Sequence, residues 1–173
     1  MKLGNIQPFS TPMQILLNHT AIVLRPENQA DFKNHPLFSH SCGKEATIGG
    51  QPFGGSVSLD RAPLGNLHYA PNFSGDAPNG LKDLTQVVRP SGMTDTQFIN
   101  SLIKSAEAYQ NNATYAPIPS VRGESYNSNS FVSGVIQNAG ASSPSLPGIA
   151  PGYDKPLQSW HFSESNSPTM LNQ

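Results

Sequence analysis

Tyr126-Asn127-Ser128-Asn129-Ser130-Phe131-Val132-Ser133-Gly134-Val135-Ile136-Gln137-Asn138 is the stretch that decides the fold. Four polar residues open a run in which Phe131, Val132, Val135 and Ile136 recur at helical spacing. Asn and Ser bond readily to the free amides of a first helical turn. The pattern therefore predicts a short helix from Ser128 to Asn138, buried on one face and stopped by Gly140. A second helix is expected from Asp95 to Gln110. Thr94 and Gln97 have capping-box spacing, and Phe98, Ile99, Leu102, Ile103, Ala106 and Tyr109 form its apolar stripe.

The first half reads as strands and loops. Gln14 to Leu17, Thr20 to Leu24, Ala46 to Ile48, Ser56 to Leu59, Asn66 to Ala70 and Gln86 to Arg89 are short strand candidates. Gly49-Gly50 and Gly54-Gly55 read as turns between them. Ala30 to Ser41 has no clear period, with Phe32, Leu37 and Phe38 as anchors, and Pro71 to Gly80 reads as loop. After Ala141, Pro144, Pro147, Pro151 and Pro156 exclude regular structure. The expected architecture is α+β: a small antiparallel sheet packed against two helices, in one domain spanning 1–162. Trp160 should pin the C-terminal segment, His161 should lie at the surface, and 163–173 should form a flexible tail.

Composition narrows the function. The chain has 173 residues, enough for a core without disulfides, and a net charge of −1 with no Lys/Arg run. Nucleic acid is therefore a poor partner. Charged residues make up only 12%, and 15 glycines and 16 prolines make the chain loop-rich. Cys42 stands alone in a polar stretch and reads as a tolerated thiol. No apolar run has the length of a transmembrane span, and the first residues lack the pattern of a classical signal peptide.

Chemistry is expected at two places. The first is Ser128. Amides at a helix start lie outside the intrahelical ladder and carry the positive end of the dipole, which suits a developing oxyanion. The bland reading of Asn127 and Ser128 is a helix cap. The second place is His19, at the head of the apolar run Thr20-Ala21-Ile22-Val23-Leu24. Its bland reading is a partly buried, hydrogen-bonded histidine. No cofactor is expected, and no His/Cys set has metal-ligand spacing, since Pro36 separates His35 from His40. Asn72 to Asp76 has too few carboxylates for a calcium loop. Ser101 and Lys104 fit a Ser-x-x-Lys pattern but lack the partner motifs it needs.

Taken together, His19-Thr20-Ala21-Ile22 and Asn127-Ser128-Asn129-Ser130-Phe131-Val132 resemble a family. These are the permuted papain-like hydrolases: the lecithin:retinol acyltransferase-like proteins, the NlpC-type cell-wall peptidases, and domains of bacterial secreted toxins and effectors. There a His-led strand precedes a helix that begins at a nucleophilic cysteine. Pro151 to Pro156 is similar to a segment of those effector domains. The resemblance implies a hydrolase acting on an amide or ester of a peptide, protein or lipid, with Ser128 as nucleophile and His19 as base. It implies release without a classical signal peptide or delivery into a target cell, otherwise a cytoplasmic protein, and an immunity or secretion-apparatus protein as partner. Such a site adds a third polar residue to orient the histidine, for which Thr47 and Gln51 are the candidates, while His40 lies in a polar loop and reads as solvated. This chain departs from the family by carrying serine for cysteine. Ser128 is then a working nucleophile, a replacement for cysteine, or part of an inactive site kept to bind a protein partner.

Overall fold

The computed structural model describes residues 2–6, 19–53, 65–76, 81–120 and 122–162. The fold is α+β. Among the described residues, seven strands form one sheet: β1 (Lys2–Ile6), β2 (His19–Leu24), β3 (Ala46–Phe53), β4 (Asn66–Pro71), β5 (Leu81–Gln86), β6 (Thr114–Tyr115) and β7 (Ser125–Tyr126). Their order is β5-β1-β2-β3-β4-β6-β7, and only the short β6–β7 pair is parallel. The two α-helices of the described residues, α1 (Asp95–Glu107) and α2 (Ser128–Asn138), pack on each other. The helix α2 also lies directly on β2 and β3.

The central strand β2 is an almost unbroken apolar run, buried from Thr20 to Leu24, as a strand covered on both faces must be. Beside it, β3 departs from expectation. Gly49-Gly50 do not turn the chain; the strand runs through them to Phe53. A side chain at Gly50 would press on Phe131, at 3.0 Å from its Cβ. The missing side chain lets α2 settle against the sheet, the usual reason for glycine inside a strand. Phe131 fills that contact, fully buried between Tyr69 and Tyr109.

Other boundaries also move. The strand expected at Gln86 to Arg89 instead occupies Leu81–Gln86, where it pairs with β1. Val87 follows it into the core. The strand β1 had no counterpart in the sequence reading; it sits between β2 and β5 and owes its form to both partners. The candidates at Gln14 to Leu17 and Ser56 to Leu59, and the tail 163–173, lie outside the described residues. Ala30 to Ser41 resolves into two 3-10 turns, Gln29–Phe32 and Pro36–Ser41, which bury Phe32, Leu37 and Phe38.

The helices start and stop where local chemistry says. Thr94 Oγ1 accepts from the Gln97 amide at 3.2 Å, and Gln97 Oε1 accepts from the Thr94 amide at 2.8 Å. That is the expected capping box. The helix ends at Glu107, short of Gln110, but Tyr109 still reaches the core and donates to the Leu67 carbonyl at 2.8 Å. At the end of α2, Gly140 takes φ 86°. The Ala141 amide bonds to Ile136 O and the Gly140 amide to Gln137 O, closing a Schellman motif.

The C-terminal segment has no regular element beyond a 3-10 turn at Ser159–Phe162. It is anchored otherwise than expected. Trp160 is 51% exposed, whereas Leu157, His161 and Phe162 are buried. Trp160 instead covers the His161 ring, stacked at 3.5 Å between centroids, while Tyr126 meets that ring edge-on. Nδ1 of His161 pairs with Asn112 Oδ1 at 2.5 Å and Nε2 has no partner. Gly134 leaves room for the segment: a side chain there would meet Leu157 at 2.8 Å.

Burial pushes the His161 pKa down from 6.5 to about 4. The folded protein therefore binds this proton less readily than the unfolded chain. Stability tied to the neutral ring is full above pH 6.5 and drains as pH falls toward 4. His161→Gln should flatten the fall in urea midpoint between about pH 7 and about pH 5. An unchanged slope in that variant would place the acid sensitivity elsewhere.

Candidate active site

His19 stands at the first position of β2, and Ser128 at the first position of α2. The fold brings them together across 109 residues: Ser128 Oγ lies 2.6 Å from His19 Nδ1. The opposite ring nitrogen, Nε2, lies 2.9 Å from Asp76 Oδ1. Serine, histidine and aspartate thus form one continuous hydrogen-bonded line. A neutral imidazole that donates Nε2–H to the carboxylate leaves Nδ1 free to accept from the serine hydroxyl. In the chymotrypsin triad the two ring nitrogens have the reverse assignment. Asp76 is fully buried, Ser128 is 6% exposed, and the His19 side chain keeps 30% of its surface in solvent. The line runs from the buried interior to an accessible edge.

Each member is held by backbone chemistry. Asn127 caps α2, with its Oδ1 accepting from the Ser130 amide at 3.0 Å. Its Nδ2 donates to Pro117 O at 3.0 Å and to Pro151 O at 2.8 Å. Asn129 is the tie to the sheet. Its Oδ1 accepts from the Thr20 amide at 2.9 Å and from the Thr20 hydroxyl at 3.0 Å. Its Nδ2 donates to Pro151 O at 3.0 Å. Ser130 donates to Gly152 O at 2.9 Å. The residues flanking Ser128 therefore fix the start of α2 to the residue next to His19.

Asp76 is the site residue that the sequence reading missed. It closes a 3-10 turn after β4, with its amide bonded to Phe73 O at 2.8 Å. Asn72 makes that turn, with φ 50°. Its Oδ1 accepts from the Thr47 amide at 2.8 Å, its own amide donates to Thr47 O at 3.1 Å, and its Nδ2 donates to Leu37 O at 2.7 Å. Thr47 serves the site through its backbone, by holding Asn72. Gln51 is half-buried on β3 opposite His68. The ring nitrogen assigned to Thr47 or Gln51 is bonded to Asp76 instead. A carboxylate in a chain this poor in charge, one residue past Gly75, was the available signal. The spacing from His19 carried none.

Gly49 makes space for that carboxylate. A Cβ built on it would fall on Asp76 Oδ2, the buried oxygen that has no hydrogen-bond partner. The two glycines of β3 thus admit a helix on one face and a carboxylate on the other.

The remaining candidates are accounted for elsewhere. Cys42 is exposed, in left-handed conformation at the end of the second 3-10 turn. His35 Nδ1 caps that turn by accepting from the Leu37 amide at 3.2 Å. His68 stacks on the exposed ring of Phe53. Among the described residues no group of three or more His, Cys, Asp or Glu is placed to hold a metal ion. No described helix is long and apolar enough to cross a membrane. An open depression of about 510 Å³ beside α1, lined by Met93, Gln97, Asn100, Ser101 and Lys104, includes none of the three site residues.

Gly49→Ala tests the geometry. The added methyl must expel the Asp76 carboxylate from its place, and His19 loses its orienting partner. Any reaction that depends on His19 should slow on the order of 10²-fold in a protein that remains folded by circular dichroism. An unchanged rate would mean that Asp76 does not orient the ring. The chain matches no protein-family model, no curated protein and no solved structure.

Proposed function

We propose that the protein is an acyl-transfer hydrolase of permuted papain-like arrangement, with Ser128 as nucleophile, His19 as general base and Asp76 as the residue that orients it. The observation that carries this reading is the Ser128–His19–Asp76 hydrogen-bonded line, with bonds of 2.6 and 2.9 Å. His19 Nδ1 takes the Ser128 proton as Oγ attacks a carbonyl carbon. The Ser128 amide, in the first turn of α2, would donate to the developing oxyanion. Collapse of the tetrahedral species breaks the bond to the amine or alcohol, which leaves with the proton from His19. Water then attacks the acyl-serine with the same base, releasing the acid and restoring the hydroxyl.

The aspartate bears on the choice between a working serine and a relic of cysteine. A thiol at a helix start is partly ionised before it reacts. A serine hydroxyl loses its proton only during attack, so imidazolium forms at that moment. A carboxylate on the other ring nitrogen stabilises that charge and fixes the tautomer. The substrate is an amide or ester, with cell-wall peptide, protein and lipid as its classes. Action outside the producing cell, as an effector or toxin, accords with the sequence resemblance.

A fluorophosphonate probe tests the reading directly. Labelling should map to Ser128, vanish in Ser128→Ala, and fall by roughly 10²- to 10⁴-fold in His19→Ala and Asp76→Asn. Failure of the folded protein to label would overturn the hydrolase and favour an inactive site that binds a protein partner. In that event Ser128→Cys with a thiol probe separates a cysteine-derived site from one with no activated nucleophile.

A further inference from the structure

Lys155 is bound as though it were a ligand. Its ammonium donates to Ser120 O at 2.7 Å, to Gly123 O, and to Ser125 O at 3.0 Å. It also lies 4.6 Å from the centre of the Tyr126 ring. An ammonium has three N–H bonds, and here each has a backbone carbonyl. The aromatic face adds cation–π attraction on a further side. Three converging carbonyls and a ring describe a recognition site for a primary ammonium, filled by the chain's own lysine.

The site lies on the connection that delivers the nucleophile. Ser120, Gly123 and Ser125 belong to the segment that runs into Tyr126, Asn127 and Ser128. Besides the cage, the described residues of that segment are held by the β6–β7 pairing at Ser125, by the Gly123 amide to Ser120 O at 3.3 Å and by the Ser120 amide to Ser125 Oγ at 3.4 Å. On the other side of Lys155, Gly152 adopts φ 83° and lies so close to Asn127 Oδ1 and Ser130 Oγ that a side chain would meet them at 2.7 and 2.8 Å. The strap from Pro151 to Lys155 therefore grips both the first turn of α2 and the loop before it.

We propose that Lys155 is a positioning residue for Ser128, and that its carbonyl-and-tyrosine cage is a primary-ammonium site that an external alkylammonium occupies once the side chain is removed. The first half rests on the reading of Ser128 as nucleophile; the second does not. Removing the ammonium leaves three carbonyls facing one another and releases the entry to α2. The hydroxyl then spends less time aligned with His19.

The experiment uses Lys155→Ala, which retains the Cβ, with propylammonium as the missing remainder and tetramethylammonium as a cation that has no N–H. Fluorophosphonate labelling of the variant should slow roughly 10- to 100-fold. Propylammonium should restore labelling and raise the melting temperature saturably, and tetramethylammonium at equal ionic strength should do neither. Lys155→Met, which fills the channel without donors, should label slowly and resist rescue; it also serves if the alanine variant does not fold. Labelling at the wild-type rate in either variant would overturn the positioning role. A melting temperature that responds alike to both cations would overturn the ammonium site. If the wild-type protein itself does not label, the hydrolase reading fails, and the melting arm still decides the cage.

Discussion

A polar helix start can be buried only if every group in it finds a partner, and that constraint organises this molecule. Asn127, Ser128, Asn129 and Ser130 are all buried. An unpaired buried polar group costs about 1–3 kcal/mol, so four in a row are tolerable only with partners already in place. The partners come from three separate parts of the chain. Asn127 reaches the Pro117 and Pro151 carbonyls, Ser128 reaches His19, Asn129 reaches Thr20 and Pro151, and Ser130 reaches Gly152. Satisfying the helix start therefore docks the strand, the loop and the C-terminal strap at one point. The placement of Ser128 against His19 is a product of the same bonds. The polar residues specify where α2 sits, while Phe131, Val132, Val135 and Ile136 supply the burial that holds it there.

This dependence explains which parts of the fold could be read locally. The helix α2 was legible because its cap, its apolar face and its Gly140 stop all lie within a dozen or so residues. The capping box of α1 was legible for the same reason. His19 stood out as a titratable group at the head of an apolar strand. Nothing local identified Asp76. Its role follows from the turn that Asn72 makes and from the gap at Gly49, which only the paired sheet brings together. Strands β1 and β5 were hidden likewise, since each is defined by pairing with the other and not by its own pattern. Gly49-Gly50 misled because glycine marks both turns and close approaches, and the sequence does not say which.

The C-terminal segment shows the same limit. Its prolines correctly excluded helix and strand, but not the docking. Aromatic size favoured Trp160 as the anchor, yet the smaller His161 is the ring that is enclosed, with the indole laid over it. An imidazole can bond to Asn112 while meeting Tyr126 and Trp160 through its edge and face. The site accepts a buried nitrogen without a partner at Nε2 as the cost of that fit. Conspicuous residue types rank poorly against shape when a tail without regular structure is pressed onto a finished core.

The absent side chains are as informative as those present. Gly49 has its gap filled by a carboxylate oxygen, Gly50 by Phe131, Gly134 by Leu157, and Gly152 faces Asn127 and Ser130. Each glycine sits where two elements approach more closely than a Cβ permits. Together they bring sheet, helix, acid and strap around the Ser128–His19 pair. The Asp76 oxygen above Gly49 has no bond, while its twin is bonded to His19. A buried carboxylate with one oxygen unpaired is costly for stability alone, and hydrophobic packing would have filled that space at less expense. Its retention beneath an accessible histidine is intelligible if the charge acts on the ring, as it does when that ring gains a proton from a neighbouring hydroxyl. Glycines that make room for a costly carboxylate, and a helix start whose polar groups hold one serine against a histidine, are what the proposed reaction centre requires.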